Sequence, residues 1–301
     1  MKSVYGPART KENAMRAVFL FCAVFSVLAL TAITVFLLAS GVPFIAKTGV
    51  GRFLLGTDWQ PLSDNPVYGI FPMIVTTLYV TALSVVTGLG TGLLTAVCLY
   101  RFCPKKLVLP IRQMINLLAG IPSVIFGLFG MTVIVPFIRD YLSPNGVGYG
   151  ILSSSIVLGI MVLPTIVSVS LDAMQAVPES YYEGALALGA TKEQATFRIM
   201  LPAAKSGILA GTVLAIGRAV GETMAVIMVI GGSPEMPKSL FQSVRTLTAN
   251  IAMGAMELSG DSLSALIATG VVLFVFTLVL NVSFAAMKRD KTEKVGKRGG
   301  K

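Results

Sequence analysis

Apolar residues dominate this chain in six runs of membrane-spanning length, at about 17–39, 71–99, 111–138, 151–173, 207–231 and 265–287. Each is long enough for a helix that crosses a hydrocarbon core, which needs roughly 20 residues. The pattern predicts an all-α membrane protein of six transmembrane helices. Between the runs, 40–70 and 232–264 are rich in Gly, Pro and Ser, whereas 174–206 has helical composition. The expected organisation is a short amino-terminal segment at 1–16, a helical transmembrane domain at 17–287 and a basic tail at 288–301. That tail is short of apolar residues and is expected to be disordered against anionic headgroups.

The charges orient the spans. Placing the amino terminus in the cytoplasm puts 18 of the 24 Lys and Arg residues on that side. They include Arg16, Arg101, Lys105, Lys106, Arg112, Lys192, Arg198, Lys205 and the tail residues from Lys288 onward. Five fall outside (Lys47, Arg52, Arg139, Lys238 and Arg245), and Arg218 lies within a span. Retention of cations on the cytoplasmic side during insertion makes this the favoured topology, with both termini cytoplasmic in a bacterial plasma membrane.

Composition closes off other classes. With 54% hydrophobic and 13% charged residues and a mean hydropathy of +0.81, the chain is too apolar for a soluble domain of its length. Its net charge of +10 lies at the ends of apolar runs and not on one face with interleaved aromatics, which argues against a nucleic-acid partner. Without histidine, and with only Cys22, Cys98 and Cys103, it has little material for a metal centre or a disulfide framework. The first run, from Ala17 to Ala39, ends before small residues as an export leader does, but its 23 residues suit an uncleaved span better.

The internal loop carries the most specific pattern. From Val177-Pro178-Glu179 to Leu201-Pro202 it places Leu186, Gly189 and Ala190 on one helical face, with Gly189 set to end a short helix and Pro202 set to break the chain before span five. Such a helix, bounded by prolines, suits insertion into another protein's cleft, and equally an amphipathic connector. The segment resembles the signature loop of ATP-binding-cassette importer permeases: Glu-Ala-Ala, three residues, Gly, nine residues, Ile, one residue, Leu-Pro. Glu183, Ala185, Gly189, Ile199, Leu201 and Pro202 fall at matching positions, and Gly184 stands where the pattern prefers Ala. The resemblance implies a type I importer architecture in which this loop docks on a separate ATPase. No Gly-x-x-x-x-Gly-Lys-Ser/Thr run occurs, so the chain is expected to have no ATPase site, with ATP and Mg used by the partner and no cofactor of its own.

Span five holds Arg218 and Glu222, the only charges in the six apolar cores. A mid-membrane Arg costs about 2.5 to 3.5 kcal/mol on insertion scales, so it must face protein or water. On a continuous helix, Gly207, Gly211, Ala215, Arg218, Glu222 and Ala225 share one stripe, and Glu222 is the expected partner of Arg218. Two readings remain open: an ion pair that fixes helix register, or a guanidinium that meets a passing oxyanion.

Three segments resemble phosphate-specific permeases of the PstC type: Leu118 to Gly127, Gly217 to Val226 and Val244 to Ala249. Met224-Ala225-Val226 after Gly221-Glu222-Thr223 separates them from the sister PstA type. The resemblance implies import of inorganic phosphate with a PstA-like second permease, a PstB-like ATPase dimer and a PstS-like extracytoplasmic binding protein. The PstA type itself, or a permease for sulfate or molybdate, remains the alternative.

Overall fold

In the computed structural model the backbone is described for residues 6–296 and the side chains for residues 12–283. The basic residues expected at either end, up to Lys11 and from Lys288, lie outside the described side chains. The amino-terminal run forms α1 (Gly6–Thr48), followed by a short α2 (Val50–Leu55). A two-stranded antiparallel hairpin, β1 (Trp59–Gln60) and β2 (Val67–Tyr68), pairs Trp59 with Tyr68 and Gln60 with Val67. Next comes α3 (Phe71–Val97), which continues as a π-turn over Cys98–Phe102. Span four is α7 (Ile151–Gln175), and span six begins α14 (Gly260–Gly296). The stretch 288–296, expected to be disordered, continues that last helix, and 297–301 lie outside the described residues.

Five helices among the described residues are long and apolar enough to cross a membrane, and a bent pair makes a sixth. Their contacts fix relative direction. Gly88 of α3 meets Val162 of α7 and Gly92 meets Ile166, so spans two and four run parallel. Gly207 of α11 (Lys205–Gly221) meets Ala173 and Gly211 meets Val169, so spans four and five run antiparallel. Gly41 of α1 meets Ala268 and Val271, while Lys47 pairs with Asp261 at 2.8 Å, so spans one and six are antiparallel too. Six alternating crossings satisfy these relations. The small residues act as close-approach points: a Cβ on Gly88 would lie 2.7 Å from Val162 Cγ2.

Two expected spans are divided differently. The run at 111–138 is not one helix: α4 (Lys105–Ala119) ends at Gly120, and the crossing segment is α5 (Ser123–Phe129), a π-turn over Gly130–Ile134 and α6 (Val135–Tyr141). The cause lies in Gly120-Ile121-Pro122, where Pro122 lacks an amide donor and biases Ile121 away from helix. The helix α4 is amphipathic. It buries Ile115 and leaves Leu109, Met114 and Leu117 exposed, and Arg112 holds it to Asp172 of α7 at 2.9 Å. Span five stops at Gly221 and resumes as α12 (Met224–Ile230), so 207–231 is a broken helix.

The segments read as loose connectors are built structures. Phe44, Phe53, Trp59, Ile70, Met73, Leu247, Leu258 and Leu266 form one apolar cluster at the end of the bundle away from 174–206. It joins the hairpin to α13 (Leu247–Gly254), whose first turn is capped by Thr246 Oγ1 accepting from the Ala249 amide at 3.2 Å. A main core of Val80, Ile138, Leu158, Val162, Val226 and Val229 fills the centre.

Candidate functional site

The chain places its sequence-marked residues in two regions separated by the 17 residues of α11, about 25 Å at a helical rise of 1.5 Å per residue. The first is the internal loop. Pro178 precedes α8 (Glu179–Ala187), and the helix closes as a Schellman turn: Gly189, at φ +88°, donates to Leu186 O at 2.9 Å, and Ala190 donates to Ala185 O at 3.1 Å. A left-handed φ at that position is readily met only by glycine.

After the turn, Thr191 and Gln194 form a reciprocal capping box on α9 (Lys192–Gln194). A π-turn over Ala195–Met200 and α10 (Leu201–Ala203) lead to a bend of 67° into α11. Pro202 therefore lies near the end of a helical stretch that runs from Lys192 to Ala203, just after the π-turn, and the break expected there falls at Ala204.

One face of this loop is anchored. Tyr182, Ala195 and Met200 are buried together, with Tyr100 and Val177 against them. The other face has no partner among the described residues: Leu186 is exposed, Leu188 is 91% exposed, Glu183 is exposed, and a Cβ on Gly184 would meet nothing within 4 Å. Ile199 and Pro202 are exposed beside them, with Leu201 half-buried. Exposed leucines on a helix whose ends are fixed by proline and glycine form a preshaped apolar projection, at which solvent contact is unfavourable until a partner covers it.

The second region is the break in span five. The expected ion pair of Arg218 and Glu222 is not formed; the pairs among the described residues are Lys47–Asp261, Arg101–Glu179, Arg112–Asp172 and Arg139–Asp140. Glu222 has left the helix, with φ −70° and ψ 129°, so the four-residue stacking that would bring the two side chains together ends before it. Its carboxylate Oε1 instead accepts from the Ala225 amide at 3.2 Å, capping α12. A negative charge is favoured there by the unpaired amides and dipole of a helix start.

Arg218 is exposed on the last turn of α11, one turn after the exposed Leu214, and Gly217 and Gly221 face open space. It offers its guanidinium donors without an internal counter-ion among the described residues.

Sequence reasoning gave no role to the residues that support this break. Thr248, in the first turn of α13, donates to the Glu222 carbonyl at 3.0 Å. Arg245 donates through Nε to Gly232 O at 2.7 Å and through Nη1 to Asn250 Oδ1 at 3.1 Å. Burial pushes the Arg245 guanidinium pKa down, opposed by Glu257. Arg245 and Asn250 border an open cavity of about 410 Å³ between the hairpin and α13. Thr246 before an apolar run is the one local sign of α13, as a helix cap. The long-range bonds have no local sign.

Comparison with known proteins bears on both regions. A family model described as binding-protein-dependent transport system inner membrane component matches residues 88–292, which include both. The probable ABC transporter permease protein YqgH of Bacillus subtilis is 38% identical over 283 residues, covering 91% of this chain and 90% of that protein. The phosphate transport system permease protein PstC of Mesorhizobium japonicum is 36% identical over 247 residues, covering 76% and 75%. A chain of a bacterial alginate ABC transporter shares the fold with a TM-score of 0.67 at 18% identity, covering 96% of this chain and 98% of that one. A chain of the MetNI methionine ABC transporter aligns with a TM-score of 0.60 at 19% identity, covering 73% and 95%.

Proposed function

Because this chain belongs to the family of binding-protein-dependent transport system inner membrane components, we propose that it is the PstC-type permease of an ATP-driven importer of inorganic phosphate. It is a multi-pass membrane protein. In this reading it forms half of a pathway completed by a PstA-like permease. A PstB-like ATPase dimer, which uses ATP and Mg, docks on α8 from the cytoplasm, and a PstS-like protein delivers phosphate from outside. The chain itself supplies no hydrolytic site.

The observation that carries the substrate assignment is Arg218, exposed without a counter-ion among the described residues at a helix break in a bilayer-spanning segment. A planar fork of donors at that position matches the oxygens of a phosphate oxyanion. Its neighbours Gly217 and Gly221 leave the approach unobstructed. Glu222 borders the same pathway and shapes it through the break, holding α12 by its amide and not Arg218 by its charge.

The four-component complex reconstituted in vesicles tests this reading. It is expected to take up phosphate on addition of ATP, undiminished by excess sulfate. Arg218→Gln is expected to abolish that uptake while the complex still assembles. Competition by sulfate would transfer the chain to a different oxyanion, and full uptake by Arg218→Gln would remove Arg218 from the pathway.

A further inference from the structure

The helix α8 is attached to the bundle at a second point. It leaves α7 through Ala176, Val177 and Pro178. Arg101, on the π-turn at the end of α3, closes a second link across 78 residues of sequence. Its Nη2 donates to both carboxylate oxygens of Glu179, the first residue of α8. Its guanidinium lies over the Tyr182 ring at 4.0 Å and over the Tyr100 ring at 4.7 Å. Tyr182 is the buried residue of α8, one turn after Glu179. The two contacts therefore hold the first turn of α8 by its charge and by its ring at once.

The π-turn makes this possible. Cys103 donates to Cys98 O at 2.8 Å, a five-residue closure that re-aims Arg101 relative to a regular helix. Arg101 Nε is buried and has no hydrogen-bond partner. Arginine tolerates this because its charge is delocalised over a weakly hydrated plane that stacks on aromatic faces, whereas a lysine ammonium is a strongly hydrated point charge.

The two helices so linked are closely packed with each other. Gly88 and Gly92 bring α3 against Val162 and Ile166 of α7 along parallel axes, and Gly207 and Gly211 bring α11, which carries Arg218, against Ala173 and Val169 of the same helix. We infer that Arg101 is a positioning residue that clamps α8 to the paired helices α3 and α7, so that a displacement of α8 moves those two helices as one body. This rests on the reading of α8 as the ATPase contact. Without Arg101, α8 keeps its connector to α7 and its apolar seat on Ala195 and Met200, and the same push reaches α3 without the charged link.

The discriminating quantity is phosphate taken up per ATP hydrolysed by the complete reconstituted complex. Arg101→Gln and Tyr182→Leu are expected to lower that ratio by roughly tenfold, the scale of a lost charge-assisted and cation–π contact. Tyr182→Phe, which keeps the ring, is expected to match the unmodified complex. A contact that only stabilises the fold would lower the amount of complex and both rates together, leaving the ratio unchanged. An unchanged ratio in Arg101→Gln or Tyr182→Leu overturns the clamp. Should both fail to assemble, Arg101→Lys, which keeps the charge and loses the planar fork, is expected to lower the same ratio, and an unchanged ratio there overturns the clamp. An unmodified complex that takes up no phosphate would overturn the functional reading instead.

Discussion

Thr248 donates its hydroxyl proton to the main-chain carbonyl of Glu222 at 3.0 Å, joining α13 to the point at which span five breaks. A carbonyl at the end of a helix has no partner within it and, away from water, needs one from elsewhere. Thr248→Val keeps the side-chain shape and removes the donor, which costs about 1 to 3 kcal/mol when a buried acceptor is left unpaired. The assembled complex is expected to melt at lower temperature and to transport more slowly, while Thr248→Ser stays close to the unmodified protein. Equal melting temperatures for Thr248→Val and the unmodified complex would show that the break is held elsewhere.

Glu222 separates two chemistries that a single substitution would confuse. If the carboxylate acts by charge on Arg218, Gln abolishes its effect. If it acts as a cap on α12, the Gln amide oxygen still accepts from the Ala225 amide and only Ala loses the contact. The geometry favours the cap. Glu222→Gln is expected to retain most uptake, and Glu222→Ala to lose about 1 kcal/mol of stability, the usual value of a helix cap. A Gln variant as impaired as the Ala variant would restore the electrostatic role.

This broken helix marks where sequence reading stops. Hydropathy located spans one, two, four and six because a bilayer demands length and apolarity, both of which are local properties of the chain. The internal loop was legible because Pro178 and Gly189 impose backbone geometry on their own residues. The break at Glu222 was not, since Gly217 and Gly221 read equally well as close-packing residues inside a span, and the bond from Thr248 that meets the break has no local sign. Gly120 and Pro122 did signal the division of span three, but Ile111, Ile115 and Leu118 on α4 supplied enough apolar residues to mask it. Arg101 and Glu179 are 78 residues apart, and neither position predicts the other.

Close packing of spans two and four gives a test that does not depend on transport. A Cβ on Gly88 would lie 2.7 Å from Val162 Cγ2 and 3.1 Å from the Gly159 carbonyl oxygen. The valine can turn but the carbonyl belongs to a helix backbone, so Gly88→Ala forces the helices apart at a cost of about 1 to 3 kcal/mol. On the same helix, a Cβ on Gly90 meets nothing within 4 Å. Reduced thermal stability is expected for Gly88→Ala and not for Gly90→Ala, measured on the purified complex. Helix propensity favours Ala at both positions, so a Gly88→Ala complex as stable as Gly90→Ala would show that the helices yield at Gly88 and that the close approach does not decide.

Gly184 and Gly189 are both in the loop proposed to meet the ATPase, yet they are expected to respond oppositely to the same added methyl. At Gly184 the backbone is ordinary helix and the space is open, so Ala gains about 1 kcal/mol of helix propensity and restores the residue that related loops prefer. At Gly189 the space is also open, but φ is +88°, and a Cβ there costs about 1 to 2 kcal/mol and strains the turn that ends α8. Gly184→Ala is expected to bind the ATPase subunit and transport as the unmodified chain does. Gly189→Ala is expected to weaken co-purification of the ATPase, because the exposed Leu186 and Leu188 lie at the end of α8 that this turn fixes. Loss of ATPase binding in Gly184→Ala alone would reverse the assignment: the partner would then approach the backbone at Gly184 too closely for a methyl group, and the contact would centre on the middle of α8.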